Sequence, residues 1–424
     1  MIDPKELRKD PGRFRRVLRE RGLAGIDVDT VVRRHEEIME RQMRLEKLRA
    51  EKNRASKRIP TLTGPDRAAL LAELKAQDTE ADDLEGLVRQ LIAEQEHDLR
   101  QFPNPHADDV PIGRDDSANR VVETWGTPPT FSFPVKDSLT LGIALDLIDV
   151  ARPAKMSGSR FGALRREAAQ LEFALVQFAL RVLTKPAYGF IPIVPPVLIN
   201  RESMQGMGYL DRPSDADEVY RLAQDNLVLV GTSEQSIGPM HQGDTLDGAN
   251  LPLRYVSFST CFRREAGSYG KDTHGILRVH QFDKIEMFSF TRPEQSDKEH
   301  QFLVDRQKEL LQALGIPHRV VLLSSGDMGF QSARTVDIEC WIPSENRYRE
   351  TNSCSTCRDF QARRLNIRYR HGGERGYVHT LNGTAFAIGR TLIAILENFQ
   401  QADGSIVVPE ALRPYVPFTT IARA

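Results

Sequence analysis

Two stretches almost free of helix breakers set the first constraint on this chain. One runs from Val31 to Ile59, the other from Asp66 to Phe102 with Gly86 as its one interruption. Residues 1 to about 100 as a whole are polar and rich in Arg, Glu, Lys and Leu, which favour helix. In the second, Leu70, Leu74, Ala81, Leu84, Val88 and Leu91 recur near the three-four spacing of a coiled-coil seam. In the first, Ile38, Leu45 and Leu48 are sparser anchors. Pro60 to Pro65, containing Gly64, breaks the pattern between them. The simplest fold for residues 1–106 is an antiparallel helical hairpin. About thirty-five residues at ~1.5 Å rise give an arm of roughly 50 Å.

Charge divides the hairpin. The first helix carries Arg33, Arg34, Arg41, Arg44, Lys47, Arg49, Lys52, Arg54, Lys57 and Arg58, while the second carries Glu73, Asp78, Glu80, Asp82, Asp83 and Glu85. This pattern fits either interhelical ion pairs on a solvated coiled coil or a basic stripe along a nucleic-acid backbone. The total does not decide, because 58 Lys+Arg against 59 Asp+Glu leave a formal charge of -1. What matters is where the charges sit.

Phe102-Pro103-Asn104-Pro105-His106 ends the helical texture, and a polar linker with Pro111 and Gly113 follows. Over residues 107–424 short β-branched runs alternate with helical stretches. Strands are predicted at Ile191 to Ile199, Leu227 to Val230, Tyr255 to Ser259, Ile285 to Phe290, Val320 to Leu323 and Val336 to Ile342. Helices are predicted at Arg165 to Leu183, Glu294 to Leu314 and Gly389 to Asn398. This order reads as an α+β domain built on an antiparallel sheet. No run approaches the ~20 apolar residues of a membrane span. Met1-Ile2-Asp3-Pro4-Lys5 has no apolar signal-peptide core, and four cysteines are few, so the cytoplasm is the expected compartment.

Chemistry concentrates in two segments. Phe262-Arg263-Arg264-Glu265 and Arg278-Val279-His280-Gln281-Phe282-Asp283-Lys284-Ile285-Glu286 flank a polar, Gly-containing loop from Ser268 to Gly275. If the first run is a strand, Arg263 and Glu265 share one face. A planar guanidinium there could fork onto phosphate or carboxylate, and Phe282 could face a flat base. The second segment, Leu381-Asn382-Gly383-Thr384-Ala385-Phe386-Ala387-Ile388-Gly389-Arg390, leads into an apolar helix with Arg390 at its start. Cys354-x-x-Cys357 is a lone pair, short of a four-ligand zinc site, so no zinc is expected.

These two segments resemble motifs 2 and 3 of class II aminoacyl-tRNA synthetases, and the chain resembles the bacterial-type seryl-tRNA synthetases. Further matching strings are Asp272-Thr273-x-Gly275, Gly326-Asp327-x-Gly329-Phe330, Ser353-Cys354-Ser355-x-Cys357-x-Asp359-Phe360-Gln361-Ala362-Arg363-Arg364, and the tail Asp403-Gly404-Ser405 to Pro414-Tyr415. The helix from Arg165 with Pro195-Pro196 resembles motif 1, which implies a homodimer. The resemblance implies a class II antiparallel-sheet catalytic domain behind a tRNA-binding arm, with Arg33, Arg34, Arg41, Arg44 and Lys47 as RNA contacts. It implies ligation of L-serine to tRNA(Ser) with ATP, and leaves tRNA(Sec) open as a second acceptor. Catalysis falls to Arg263, Glu265 and Arg390. The serine pocket falls to Thr232, Ser233, Glu234, Glu286, Asn382 and Thr384. ATP falls to Arg263, Arg264, Glu265, Val279, Phe282, Glu350, Thr351, Asn352, Ser353 and Arg390, with Mg²⁺ on Glu350 and Ser353. The alternative is a specialised paralogue that acylates a carrier protein or confers inhibitor resistance. Departures from the family pattern lie at Gly162 to Arg166, at Asn352 and from Gln235 to Asp247.

Overall fold

The computed structural model describes residues 1–266 and 275–423. The chain divides into two compact units, Met1–Pro103 and Asn104–Ala424.

In the first unit, helices α1 (Val28–Ser56) and α2 (Gly64–Arg100) form the antiparallel hairpin. At its base, two short helices, Pro4–Lys9 and Pro11–Glu20, each start at a proline behind an aspartate cap. Asp27 caps α1 by accepting from the Asp29 and Thr30 amides. At the turn, Gly64 adopts φ +57°, a conformation that side chains resist. The seam buries Val31, Ile38, Leu45 and Leu48 of α1 against Leu70, Leu74, Val88 and Leu91 of α2. Ala81 and Leu84 are half-buried. The basic and acidic faces meet: Arg34 pairs with Asp98 and Glu94, Arg44 with Glu80, Arg49 with Glu85, and Lys52 with Asp78. Exposed pairs of this kind contribute under about 1 kcal/mol each, so the apolar seam carries most of the stability.

The second unit is built on an eight-stranded sheet. In chain order its strands are β1 (Arg120–Trp125), β2 (Phe190–Ile193), β3 (Leu253–Phe262), β4 (Gln281–Thr291), β5 (His318–Leu322), β6 (Arg334–Ile342), β7 (Arg347–Arg358) and β8 (His379–Ala387). They lie in the order β1-β5-β6-β7-β8-β4-β3-β2. All neighbours are antiparallel except β2 and β3. Helices α3 (Arg166–Leu183), α4 (Ser296–Ala313) and α5 (Ile388–Asn398) contribute Leu171, Leu175, Leu303, Leu310, Leu392 and Ile395 to the main core. Because side chains alternate along a strand, the other face of the central strands is free to carry polar groups. Among the described residues, no helix is long and apolar enough to cross a membrane.

The predicted helices are present, and so are the predicted strands, several longer than the apolar runs suggested, with one exception: Ile191 to Ile199 is not a single strand. β2 ends at Ile193, Pro195 and Pro196 interrupt the ladder, and Leu198–Asn200 pairs instead with Leu227–Leu229 in a separate two-stranded sheet. A second local expectation also fails. β3 ends at Phe262, so Arg263 and Glu265 do not alternate on a strand. The Arg263 amide still bonds the His280 carbonyl at 2.9 Å, but the Arg264 amide turns to the Glu218 carbonyl, and Glu265 sits at φ +52°. The chain leaves the sheet between the two residues. Asp272, Thr273 and His274, with most of the loop they belong to, lie outside the described residues.

Candidate active site

Strand parity builds the site. Phe282, Lys284 and Glu286 of β4, Asp337 of β6, Thr351 and Ser353 of β7, and Asn382 and Thr384 of β8 all line one cavity of about 370 Å³. Arg263, Glu265 and Arg278 line it from the segments beyond β3 and before β4, Thr232 from a loop, Glu234 from the start of the short helix Glu234–Ile237, and Arg390 from the first turn of α5.

Glu286 forms the floor, 1% exposed. Lys284, two residues away on the same face, places Nζ 2.7 Å from Glu286 Oε2, and Thr384 Oγ1 donates to that same oxygen at 3.1 Å. Among the described residues Oε1 takes no hydrogen bond. Gln307 and Asn352 fix the strand behind Thr384: the Gln307 amide donates to the Thr384 carbonyl, and Asn352 Nδ2 donates to the Thr384 and Ala385 carbonyls at 2.9 and 2.8 Å.

Glu234 is the second buried carboxyl. Gln361 Nε2 donates to its Oε1 at 2.9 Å, and Gln361 is itself set by a 2.6 Å bond from Thr380 Oγ1. Burial first, then repulsion from Glu286, pushes Glu234 up to about 7, against the opposing pull of Gln361, Lys284 and Arg263. A carboxyl of this kind gains its charge readily when a cation arrives.

Arg263 Nε donates to the Gly231 carbonyl at 3.2 Å, and its guanidinium lies 5.3 Å from the Phe282 ring centre. Glu265 pairs with Arg278 at 2.8 Å. At the opposite wall Arg390 Nη1 lies 3.0 Å from Glu350 Oε1 and also donates to the Glu350 carbonyl at 3.2 Å. Beneath Glu350, Asp337 faces Ser353 across the β6–β7 ladder. Burial, then the Glu350 carboxylate, drives Asp337 well above the usual carboxylate range, and its Oδ1 is buried without a hydrogen bond among the described residues.

Most of the residues proposed from sequence meet in this cavity. Three do not line it. Ser233 is wholly buried with its hydroxyl 2.6 Å from Ser257 Oγ. Arg264 turns its guanidinium toward the Tyr220 ring, 5.6 Å away. Asn352 is out of phase with Thr351 and Ser353 on β7, so it faces the far side and acts through the backbone. Sequence reasoning also missed Lys284, Asp337, Gln361 and Arg278. The i, i+2 spacing of Lys284 and Glu286 on a strand was the available signal for the first.

On the hairpin, Arg34, Arg41, Arg44 and Lys47 are each near a carboxylate of the same or the facing helix, and Arg33 donates to Thr30 Oγ1. Nearer the tip, Arg54, Lys57, Arg58 and Arg67 are exposed and form no ion pair among the described residues.

Residues 1–106 match the family model of the seryl-tRNA synthetase N-terminal domain, and residues 219–399 match that of the tRNA synthetase class II core domain (G, H, P, S and T). The chain is 48% identical over 423 residues to the serine–tRNA ligase of Acidothermus cellulolyticus, with 98% of each covered. It is 42% identical to that of Symbiobacterium thermophilum, with both covered in full. Its structure is similar to a crystal structure of seryl-tRNA synthetase from Pyrococcus horikoshii complexed with ATP, with a TM-score of 0.93, 36% identity and both chains fully covered.

Proposed function

This chain belongs to the seryl-tRNA synthetase family, and we propose that its cavity activates serine with ATP through the side chains described above. The activity is ligation of serine to tRNA. The observation that carries the residue assignment is the state of Glu286. Lys284 and Thr384 both engage Oε2, which leaves Oε1 to accept the serine hydroxyl. A buried acceptor built for a hydroxyl rejects alanine because it would stay unpaired.

Glu234 and Thr232 receive the serine ammonium. Arg263 holds the serine carboxylate against the α-phosphate, and Phe282 stacks on adenine with the Val279 backbone at its edge. Arg390 takes the γ-phosphate. Glu265, anchored by Arg278, borders the nucleotide. A serine carboxylate oxygen attacks the α-phosphorus and pyrophosphate leaves, giving seryl-adenylate; the terminal adenosine hydroxyl of tRNA then attacks the seryl carbonyl and AMP leaves. No side-chain nucleophile is needed. The protein contributes alignment and charge stabilisation of the phosphorus oxygens.

Glu350 and Ser353 would hold Mg²⁺, which supplies charge neutralisation to the phosphates when bound. The residues fit this ion: they offer hard oxygen donors, and Asp337 Oδ1, without a hydrogen bond among the described residues, lies under them. The Arg390–Glu350 pair suits the same reading, since nucleotide and ion together would satisfy both partners that now satisfy each other.

The hairpin carries tRNA(Ser), with the exposed Arg54, Lys57 and Arg58 near its tip adding to Arg33, Arg34, Arg41, Arg44 and Lys47. A homodimer completes the reading. It is supported by exposed Phe173 of α3, and by Ile191 and Val194 on and beside the edge strand β2. Such a protein works in the cytoplasm, where tRNA is charged.

The test is amino-acid selectivity. The wild type is expected to exchange pyrophosphate with serine and not alanine, and Glu286→Gln to lose most of the serine rate and the preference. Retained preference in that variant would show that another group reads the hydroxyl.

A further inference from the structure

A second cavity of about 370 Å³ lies behind the nucleotide wall. Ile276, Val279, Phe282 and Gly389 line both cavities. Ile276 is clamped in that wall: a Cβ on Gly162 would come within 2.9 Å of its Cγ2, and one on Gly389 within 3.0 Å of its carbonyl oxygen. The two spaces therefore share a thin, tightly packed partition.

Its chemistry is unusual. Phe161, Ile388 and Phe282 give it an apolar lining, with Met156, 83% exposed, also among its lining residues. Glu172 of α3 and Asp283 of β4 also line it, with their carboxyl groups close enough to act on each other. Among the described residues neither carboxyl forms an ion pair, and Asp283 Oδ1 is buried without a hydrogen bond. Burial, then the neighbouring Asp283 carboxyl, holds Glu172 up at about 8. Two neighbouring carboxyl groups with no basic partner among the described residues make this cavity a place for positive charge. Carboxylate charge beside apolar walls is costly unless a cation neutralises it. The volume is at the low end of small-ligand pockets, roughly 300–1,000 Å³.

We propose that this cavity binds a small monovalent organic cation with a flat apolar body, of the aryl-amidine or arylalkylamine class. The cationic head sits on the Glu172–Asp283 pair, and the body lies against Phe161, Ile388 and the outer side of Phe282. Because Phe282 and Val279 are shared, an occupant alters nucleotide binding; this coupling rests on the reading of those two residues as the adenine wall. The binding itself does not.

The experiment uses the full-length protein with benzamidine as probe and benzamide, its neutral counterpart of the same shape, as control. Binding is measured by calorimetry without nucleotide, and the ATP dependence of pyrophosphate exchange is then measured at saturating probe. Benzamidine is expected to bind at least tenfold more tightly than benzamide. Asp283→Asn and Glu172→Gln should each remove that preference, and saturation should change the KM for ATP at least threefold. Asp283→Asn preserves shape, so it stands as the test should the α3 variant fail to fold. Equal binding of the two probes, no binding of either, or undiminished preference in the Asp283→Asn variant would overturn the proposal. Benzamidine binding without any change in the KM for ATP would overturn the coupling alone. Loss of serine-dependent exchange in the wild type would instead count against the function proposed above.

Discussion

Serine binding should weaken in acid because of Glu234. Its carboxyl is held up to about 7 by burial and by Glu286. Serine's ammonium needs the ionised form, so protons compete with the substrate. With ionisation at about 7, roughly one molecule in eleven is ready at pH 6 and ten in eleven at pH 8. The KM for serine in pyrophosphate exchange should therefore be about tenfold higher at pH 6 than at pH 8. In Glu234→Gln the KM should be high and nearly flat. Titration of ATP affects both proteins equally and cancels in their ratio. Stability has its own sign. The folded state holds this proton more tightly than an unfolded glutamate at 4.5, so the proton-linked stability is intact below 4.5. It falls as pH rises to 7, by at most about 3 kcal/mol. A flat serine KM in the wild type, or the same tenfold change in Glu234→Gln, would refute the assignment of the ammonium to Glu234.

Four further outcomes are expected. Glu286→Ala should abolish serine-dependent exchange and, by stranding buried Lys284, lower stability by about 3 kcal/mol in urea unfolding. Asp337→Asn should raise the Mg²⁺ concentration needed for ATP binding about tenfold, read by Mn²⁺ titration in paramagnetic resonance, with little change in metal-free nucleotide binding. Reversing Arg54, Lys57 and Arg58 to Glu should leave exchange intact and weaken tRNA binding, reducing the salt slope by about 2 to 3. Val194→Asp should shift sedimentation from dimer to monomer if the β2 edge is the homodimer contact.

The hairpin was legible because its signal is long and periodic: seam residues such as Leu74 and Val88 repeat where no breaker intervenes. The site was legible only in part. β7 and β8 show little alternating apolarity, because Thr351, Ser353, Asn382 and Thr384 face a polar cavity where an ordinary strand would place apolar side chains. Motif strings located these residues, but only the sheet register sorts Ser353, which faces the cavity, from Asn352, which braces Thr384 from behind. Glu265 misled for a different reason. Nothing in a glutamate announces a positive φ, so the turn that separates it from Arg263 could be seen only in the fold. Charge on the hairpin was ambiguous in one dimension. Side-chain placement shows that Arg44 and Lys52 are engaged across the helices, whereas Arg54 and Lys57 form no such pair among the described residues.

The central claim is that the Glu286 floor and the Arg263–Arg390 walls serve serine and ATP. Amino-acid-dependent ATP–pyrophosphate exchange across the standard amino acids, followed by tRNA charging, tests it most directly. Exchange with serine alone, and serylation of tRNA(Ser), is the predicted result. Exchange with a different amino acid, or none from folded protein, would contradict it.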